Sequence, residues 1–290
     1  MNTIADPLAT LAADTLDLER LGETHFRSHM ARDNSQGTVF GGQFLGQALH
    51  AARQTAPDWA AHSCSAYFLR PGATNMPIDY EVEVVRDGRN FANRRVVARQ
   101  RGKALFDMLC AFHAPGVGPS HCIEAPKDVP APEDLPDIQD WLRANGDRIP
   151  LEEVDSYFQP LPIQFRLLDA ARVYHLEGEP EPKRGYWIRL PSAAGVPDIA
   201  DHLPLIAMAS DFFVGPVATA PFTPPYPRRM PVSTVSHQMT FHSPARADEW
   251  LLYLVESPWA GEGMGLTRGI LFDRAGALVA TVVQEVVIFS

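Results

Sequence analysis

Bulky apolar residues recur at Phe40, Phe44, Leu45, Ala48, Leu49 and Ala52. This is the i, i+4, i+5, i+8 spacing of a helix with one broad buried face. It predicts a helix opening at Phe40 and stopped by proline near Thr55-Ala56-Pro57. Gly41, Gly42 and Gly46 lie at its start and middle. Glycine in a helix costs about 0.5–1 kcal/mol against alanine, so three of them point to something close to the backbone. That is either a neighbouring strand, the commoner use, or a ligand group on the unpaired N–H donors of the helix start.

Upstream, a weakly helical acidic stretch leads into residues 16–21, which alternate like a strand. Downstream, residues 65–69 run extended to a turn at Arg70-Pro71-Gly72, and residues 79–84 alternate with period two. Asp87-Gly88 is a hairpin signal. Phe91–Gln100 forms the next strand, Arg101-Gly102 turns it, and residues 104–112 form another. One helix followed by an antiparallel meander is an α+β pattern.

From 114 to 150 the composition changes: Pro115, Pro119, Pro126, Pro130, Pro132, Pro136 and Pro150 exclude a regular sheet and leave room for a helical turn or two at Ile138–Ala144. Strands over 161–168 and 186–190 follow, then a helix over 201–214, with Leu203, Ile206, Ala207, Ser210 and Asp211 on neighbouring turns. Residues 233–289 then repeat the logic of 63–112. Tyr67-Phe68-Leu69-Arg70-Pro71 is answered by Thr240-Phe241-His242-Ser243-Pro244, and the later strands and the turn Asp273-Arg274-Ala275-Gly276 have counterparts in order. This is an internal duplication. It divides the chain into a first repeat over 1–115, a Pro-rich linker over 116–150 and a second repeat over 151–290.

With 290 residues the chain accommodates two such units, and 46% hydrophobic and 21% charged residues fit a soluble globular protein. No apolar run approaches the roughly 18 residues of a membrane span. Residues 1–7 lack the basic and apolar regions of a signal peptide, and Ile288-Phe289-Ser290 is not a peroxisomal address. Cys64, Cys110 and Cys122 are scattered, which suits a reducing cytoplasm and argues against a zinc site. The net charge of −10 disfavours a nucleic-acid partner. A basic run of Arg86, Arg89, Arg94, Arg95, Arg99, Arg101 and Lys103, with Asp87 as its one acid, reads mainly as the solvated face of strands, with an anionic small molecule as the sharper alternative.

Familiar catalytic motifs are absent: no Gly-x-Ser-x-Gly elbow, His-Glu-x-x-His, Walker loop or Rossmann fingerprint. Gly261, Gly263 and Gly265 read as a loop between strands. The histidines lack metal-ligand spacing, and His237 and His242 fall on opposite faces of one strand. Three polar residues interrupt apolar patterns: Asp211 mid-helix among Met208, Ala209, Phe212 and Phe213, Thr234 opening an apolar strand, and Gln284 within Val282-Val283 and Val286-Val287. Each alone reads as structural. Together in one place they would satisfy one another and form a site.

Several stretches resemble the type II acyl-CoA thioesterases, the TesB-like group: Phe40-Gly41-Gly42-Gln43, Tyr67 to Gly72, Arg86-Asp87-Gly88, Ser210-Asp211-Phe212, Thr234-Val235-Ser236-His237, Glu249 to Tyr253 and Val283-Gln284-Glu285. They run in the family's order from about Phe26 to Val287. The resemblance implies a double hotdog fold, two curved antiparallel sheets each wrapped round a central helix. It implies hydrolysis of fatty acyl-CoA to fatty acid and CoA, without cofactor or metal, by a homodimer or homotetramer. It places water activation on Asp211, Thr234 and Gln284, and substrate at the helix start Gly41, Gly42 and Gln43, with a backbone N–H near Gly42 meeting the oxyanion. Phe213, Ser236 and Val286 depart from the residues common in the family. The alternatives on the same fold are a binding-only acyl-CoA sensor and, further off, a hydratase, for which no Asp/His dyad is visible.

Overall fold

The computed structural model describes residues 7–29, 31, 37–114, 116–149, 163–222 and 230–289, with side chains from residue 11 onward. The expectations for residues 1–6, for Pro115 and Pro150 and for a strand start at 161 lie outside the described residues. The first half contains α1 (Pro7–Leu16), β1 (Leu18–Arg20), β2 (His25–Ser28), α2 (Gly41–Arg53), β3 (Ala60–Phe68), β4 (Asp79–Asp87), β5 (Phe91–Gln100) and β6 (Lys103–His113). The second contains α3 (Ile138–Ala144), β7 (Gln164–Leu167), the short α4 (Ala170–Val173), β8 (Lys183–Arg189), α5 (Ile199–Ala209), β9 (Val232–Phe241), β10 (Leu251–Gly261), β11 (Met264–Asp273) and β12 (Leu278–Ile288).

The twelve strands among the described residues join one antiparallel sheet, ordered β1-β2-β4-β5-β6-β3-β9-β12-β11-β10-β8-β7. Read outward from its centre, each half has the same order, so the expected duplication governs the topology as well as the local pattern. The halves meet where β3 pairs β9, from Ser63 opposite Thr240 to Tyr67 opposite Ser236. Matching tight turns, Arg101-Gly102 and Glu262-Gly263, have positive φ at both residues, as two-residue hairpins of this twist require. Gly261 and Gly265 thus belong to strands, and only Gly263 of that glycine group lies in the turn.

The two central helices run antiparallel, the end of each beside the start of the other. This explains the α2 glycines. A Cβ on Gly42 would sit 2.4 Å from the Met208 carbonyl oxygen, and one on Gly46 would sit 3.0 Å from the Pro204 carbonyl oxygen. For Gly42 and Gly46 the close neighbour is therefore α5 rather than a strand. Because α1, α5 and the sheet enclose α2, it is buried on every side from Gly42 to Arg53, not on one face. Leu45 and Leu49 are fully inaccessible, and each such side chain stabilises the fold by about 1.5–3 kcal/mol. The buried amide of Gln47 is satisfied by the Tyr80 hydroxyl at 2.7 Å, the Gln43 amide and the Asp14 carbonyl.

The Pro-rich connector is an ordered strap. Ala125, Val129 and Leu135 cover Trp187, Trp250, Leu252 and Phe272 on the outer face of the second half. The Pro130 carbonyl accepts from the Trp187 indole at 2.9 Å, and Glu133 forms a two-pronged pair with Arg274. The basic run divides. Arg95 and Arg99 pair with Asp107 and Glu81 on neighbouring strands, as a solvated strand face would. Arg94 is instead buried, binding Asp87 at 2.7 Å and the Thr55 carbonyl at the end of α2 at 3.0 Å, where a cation complements the helix dipole.

Candidate active site

The expected helix over 201–214 ends earlier. α5 stops at Ala209, Ser210 caps it, and Asp211 stands in the following turn rather than mid-helix. Phe213 takes a left-handed φ of 61° there, a conformation costing a bulky residue about 1 kcal/mol or more, and its ring packs 4.5 Å from that of Phe165. Three donors from β8 and β10 pin the turn by its carbonyls. The Tyr253 hydroxyl donates to Ser210 at 3.2 Å, the Tyr186 hydroxyl to Phe212 at 2.8 Å, and the Arg184 guanidinium to Phe213 at 3.3 Å. Tyr253 reaches its place only because residue 269 is glycine; a Cβ there would lie 2.3 Å from the ring.

The pinned turn aims Asp211 at the start of α2. Phe40 offers that helix no side-chain cap, and the Asp211 carboxylate accepts from the Gly42 N–H instead. Gly41 leaves the space, since a Cβ there would come within 2.6 Å of Asp211 Oδ2. The carboxyl side chain is only 5% exposed. Burial pushes its pKa up to about 7, against the Gly42 N–H and the Thr234 and Gln284 side chains, which favour the anion.

Thr234 comes from β9 and Gln284 from β12. Strict alternation from the inward-facing His237, Met239 and Phe241 would turn Thr234 outward. A bulge in the β9–β12 pairing, where Glu285 faces Ser236 but Val286 faces Thr234, re-aims it inward. Gln284 Nε2 then donates to Thr234 Oγ1 at 2.9 Å, and Thr234 Oγ1 lies 3.5 Å from Asp211 Oδ1. The three residues singled out by pattern are one constellation, and Gly41 and Gly42 of the other half complete it. Gln43 does otherwise: its amide donates to Gln47 one turn along α2, and its backbone N–H to the Phe40 carbonyl.

Sequence reasoning missed His237 and Ser210. His237 is fully buried opposite Gln284, with Nδ1 2.9 Å from Gln284 Oε1 and Nε2 3.0 Å from Ser210 Oγ. Burial lowers its pKa to about 4, so the ring is neutral near pH 7. The available signal was its phase, shared with Met239 and Phe241 on the core side of β9. Ser236, beside it, donates instead to Glu285 at 2.5 Å. Among the described residues no group of three or more His, Cys, Asp or Glu could hold a metal, and no helix is long and apolar enough to cross a membrane.

Comparison with known proteins agrees with this layout. Residues 30–113 match the model of the acyl-CoA thioesterase N-terminal domain, and residues 126–288 that of the C-terminal domain. The chain is 36% identical to acyl-coenzyme A thioesterase 8 of Mus musculus, covering 98% of this chain and 90% of the relative. The crystal structure of acyl-CoA thioesterase II TesB2 from Mycobacterium marinum superposes with a TM-score of 0.76 at 31% identity, covering 96% of this chain and 98% of that one. A hot dog fold protein from Alicyclobacillus acidocaldarius shares the fold at 20% identity and a TM-score of 0.77, over 97% of this chain and 98% of that one. With both domain models matched in order and the duplicated sheet wrapped round paired helices, the chain belongs to the acyl-CoA thioesterase family and has its double hotdog fold.

Proposed function

We propose that this protein hydrolyses fatty acyl-CoA to free fatty acid and CoA, with Asp211 as general base and Thr234 and Gln284 holding the water. One observation carries the assignment: a buried carboxyl with a pKa near 7, hydrogen-bonded to a hydroxyl and an amide at the start of a helix from the other half. A base poised near the working pH is half ionised and still a competent proton acceptor. The water oxygen attacks the thioester carbonyl carbon while its proton passes to Asp211. The tetrahedral oxyanion then collapses, the C–S bond breaks, and the CoA thiolate leaves with the proton that Asp211 returns. Fixing the water removes orientational entropy from the attack.

In the resting site the Gly42 N–H serves Asp211. As the arriving proton neutralises Asp211, that N–H and the positive end of α2 become available to the oxyanion. Gly41 keeps the approach to both open. A binding-only sensor would have no use for a carboxyl kept half protonated beside a hydroxyl and an amide. Assembly as a homodimer or homotetramer suits the exposed Tyr67, Phe91 and Leu109, which share the outer face of the first half, and action in the cytoplasm suits the free Cys64, Cys110 and Cys122.

The test is free-thiol release from acyl-CoAs of increasing chain length by wild type and Asp211→Ala. Release that collapses in the variant supports the hydrolase and its base. Tight binding with no release at any length would replace it with the sensor, and equal activity in both proteins would remove Asp211 from the chemistry.

A further inference from the structure

We infer that His237 is a positioning residue for this reaction: a neutral imidazole carrying its proton on Nδ1, which fixes the Gln284 amide so that its NH2 group faces Thr234 and Asp211. The inference rests on the reading of Asp211 and Gln284 as water-activating residues.

The order of donors forces the tautomer. In the ionised form that takes the proton from water, the Asp211 carboxylate only accepts hydrogen bonds, so the groups facing it must donate. Thr234 Oγ1 lies 3.5 Å from Asp211 Oδ1, and its single hydroxyl proton points that way. Having given that proton, Thr234 Oγ1 is an acceptor, and Gln284 Nε2 donates to it at 2.9 Å. With its NH2 group turned to Thr234 and Asp211, Gln284 leaves Oε1 facing the buried imidazole, 2.9 Å from Nδ1. Two acceptors at that distance would repel, so Nδ1 carries a proton. A neutral imidazole has only one N–H, so Nε2 is an acceptor, and Ser210 Oγ at 3.0 Å can supply its proton. That hydroxyl also donates to the Ala207 carbonyl at 2.8 Å, and the proton on Nδ1 requires it to share or give up that bond in favour of the ring nitrogen. The chain of donors therefore runs in one direction, from Ser210 through His237, Gln284 and Thr234 to Asp211.

Without His237, the Gln284 amide is oriented only by Asp211, which near pH 7 is half protonated and so only weakly selects its NH2 end. A half-turn of that amide would present its oxygen to Thr234 and the carboxylate. The bond to Thr234 would reverse, the hydroxyl would no longer donate to Asp211, and the water would lose its oriented partners. Full burial of His237 against Ser210, the cap residue that precedes Asp211, ties the same ring to the turn carrying the base.

Three measurements test this. Long-range 1H–15N correlation spectra of the wild-type imidazole should show the Nδ1–H tautomer; an Nε2–H tautomer would overturn the inference and leave the hydrolase reading intact. In steady-state hydrolysis of an acyl-CoA that wild type cleaves, His237→Gln, which presents its amide nearer the Nε2 position, should lower kcat about 100-fold with little change in KM. His237→Asn, whose amide nitrogen can replace Nδ1–H, should recover most of that loss. Equal losses in both would mean a merely structural ring and refute the proposal. Finally, adding His237→Gln to Gln284→Ala should cost little further kcat, because one residue acts through the other; fully multiplicative losses would also overturn it. If wild type itself released no thiol from any acyl-CoA, the hydrolase reading would fail, whereas the tautomer experiment would still report on the imidazole.

Discussion

Replacing Asp211 with asparagine should inactivate the protein and make it more stable at neutral and alkaline pH. The carboxyl is neutral in the folded protein up to about pH 7, whereas its unfolded value is 3.8. Between those limits the folded state holds a proton that the unfolded chain has released, so stability falls as pH rises, by about 1.4 kcal/mol per pH unit. Below the lower limit both states are protonated and the penalty vanishes; above pH 7 it is fully present, at most about 4 kcal/mol for a shift of this size. Asparagine keeps the shape and an acceptor for the Gly42 N–H but cannot ionise. The assay is urea unfolding of both proteins near pH 4, 6 and 8. The variant should gain nothing near pH 4 and about 2–4 kcal/mol at pH 8, while kcat falls by about 10²–10⁴ through loss of the base. Wild-type kcat/KM should rise with pH to a plateau above about pH 7. A stability difference that stayed constant from pH 4 to 8, or one favouring wild type at pH 8, would refute the raised pKa and with it the poised base.

Other perturbations isolate single parts of the site. Gly41→Ala puts a Cβ 2.6 Å from Asp211 Oδ2 and 3.1 Å from the Phe68 ring; kcat/KM should drop about 100-fold, and unchanged kinetics would show that the carboxylate does not hold this position during turnover. Tyr253→Phe removes the hydroxyl bond to the Ser210 carbonyl, and urea unfolding should show a loss of about 1 kcal/mol together with a lower kcat. Arg53→Leu strips Asp198 and Asp201 of a shared guanidinium; denaturant unfolding should report about 2 kcal/mol of destabilisation, with kcat of the folded protein unchanged because Arg53 lies at the opposite end of the helix pair.

The features legible in the sequence are those fixed by local period. β5 appears over the predicted residues, the short helix in the Pro-rich strap likewise, and the duplication is visible because both meanders carry the same spacing of turns. Apolar interruption also located Asp211, Thr234 and Gln284, since a polar side chain in a buried pattern must find partners. What stayed hidden depends on contacts between halves. Period alone continued α5 through Asp211, whereas tyrosine and arginine donors from β8 and β10 hold that segment as a turn. Thr234 faces inward because of a bulge, which no alternation rule anticipates. Spacing excludes His237 as a metal ligand but cannot show its actual neighbours, Ser210 and Gln284, which lie far along the chain. Gly42 and Gly46 signalled a close approach without revealing that it was the other central helix, and Gly41 without revealing the Asp211 carboxylate beside it.

The duplication also explains why the proposed chemistry belongs to one end of the helix pair. Asp211 and Arg53 occupy the same place counted from the starts of α5 and α2, and each faces the start of the other helix. Asp211 meets an uncapped helix start with glycines, where a backbone N–H and open space are available. Arg53 meets Asp198, which caps α5, and Asp201 in its first turn. The strands diverge in step. His237 faces Gln284 across β9 and β12, while the corresponding strands β3 and β6 set Cys64 opposite Cys110, and burial pushes the Cys64 thiol up to about 12 and raises that of Cys110 as well. One end thus keeps an ionisable carboxyl with directed donors, and the other closes with ion pairs and neutral thiols. On the proposed mechanism the second end carries no turnover and can be optimised for stability, whereas the first must retain a carboxyl that the fold would be more stable without.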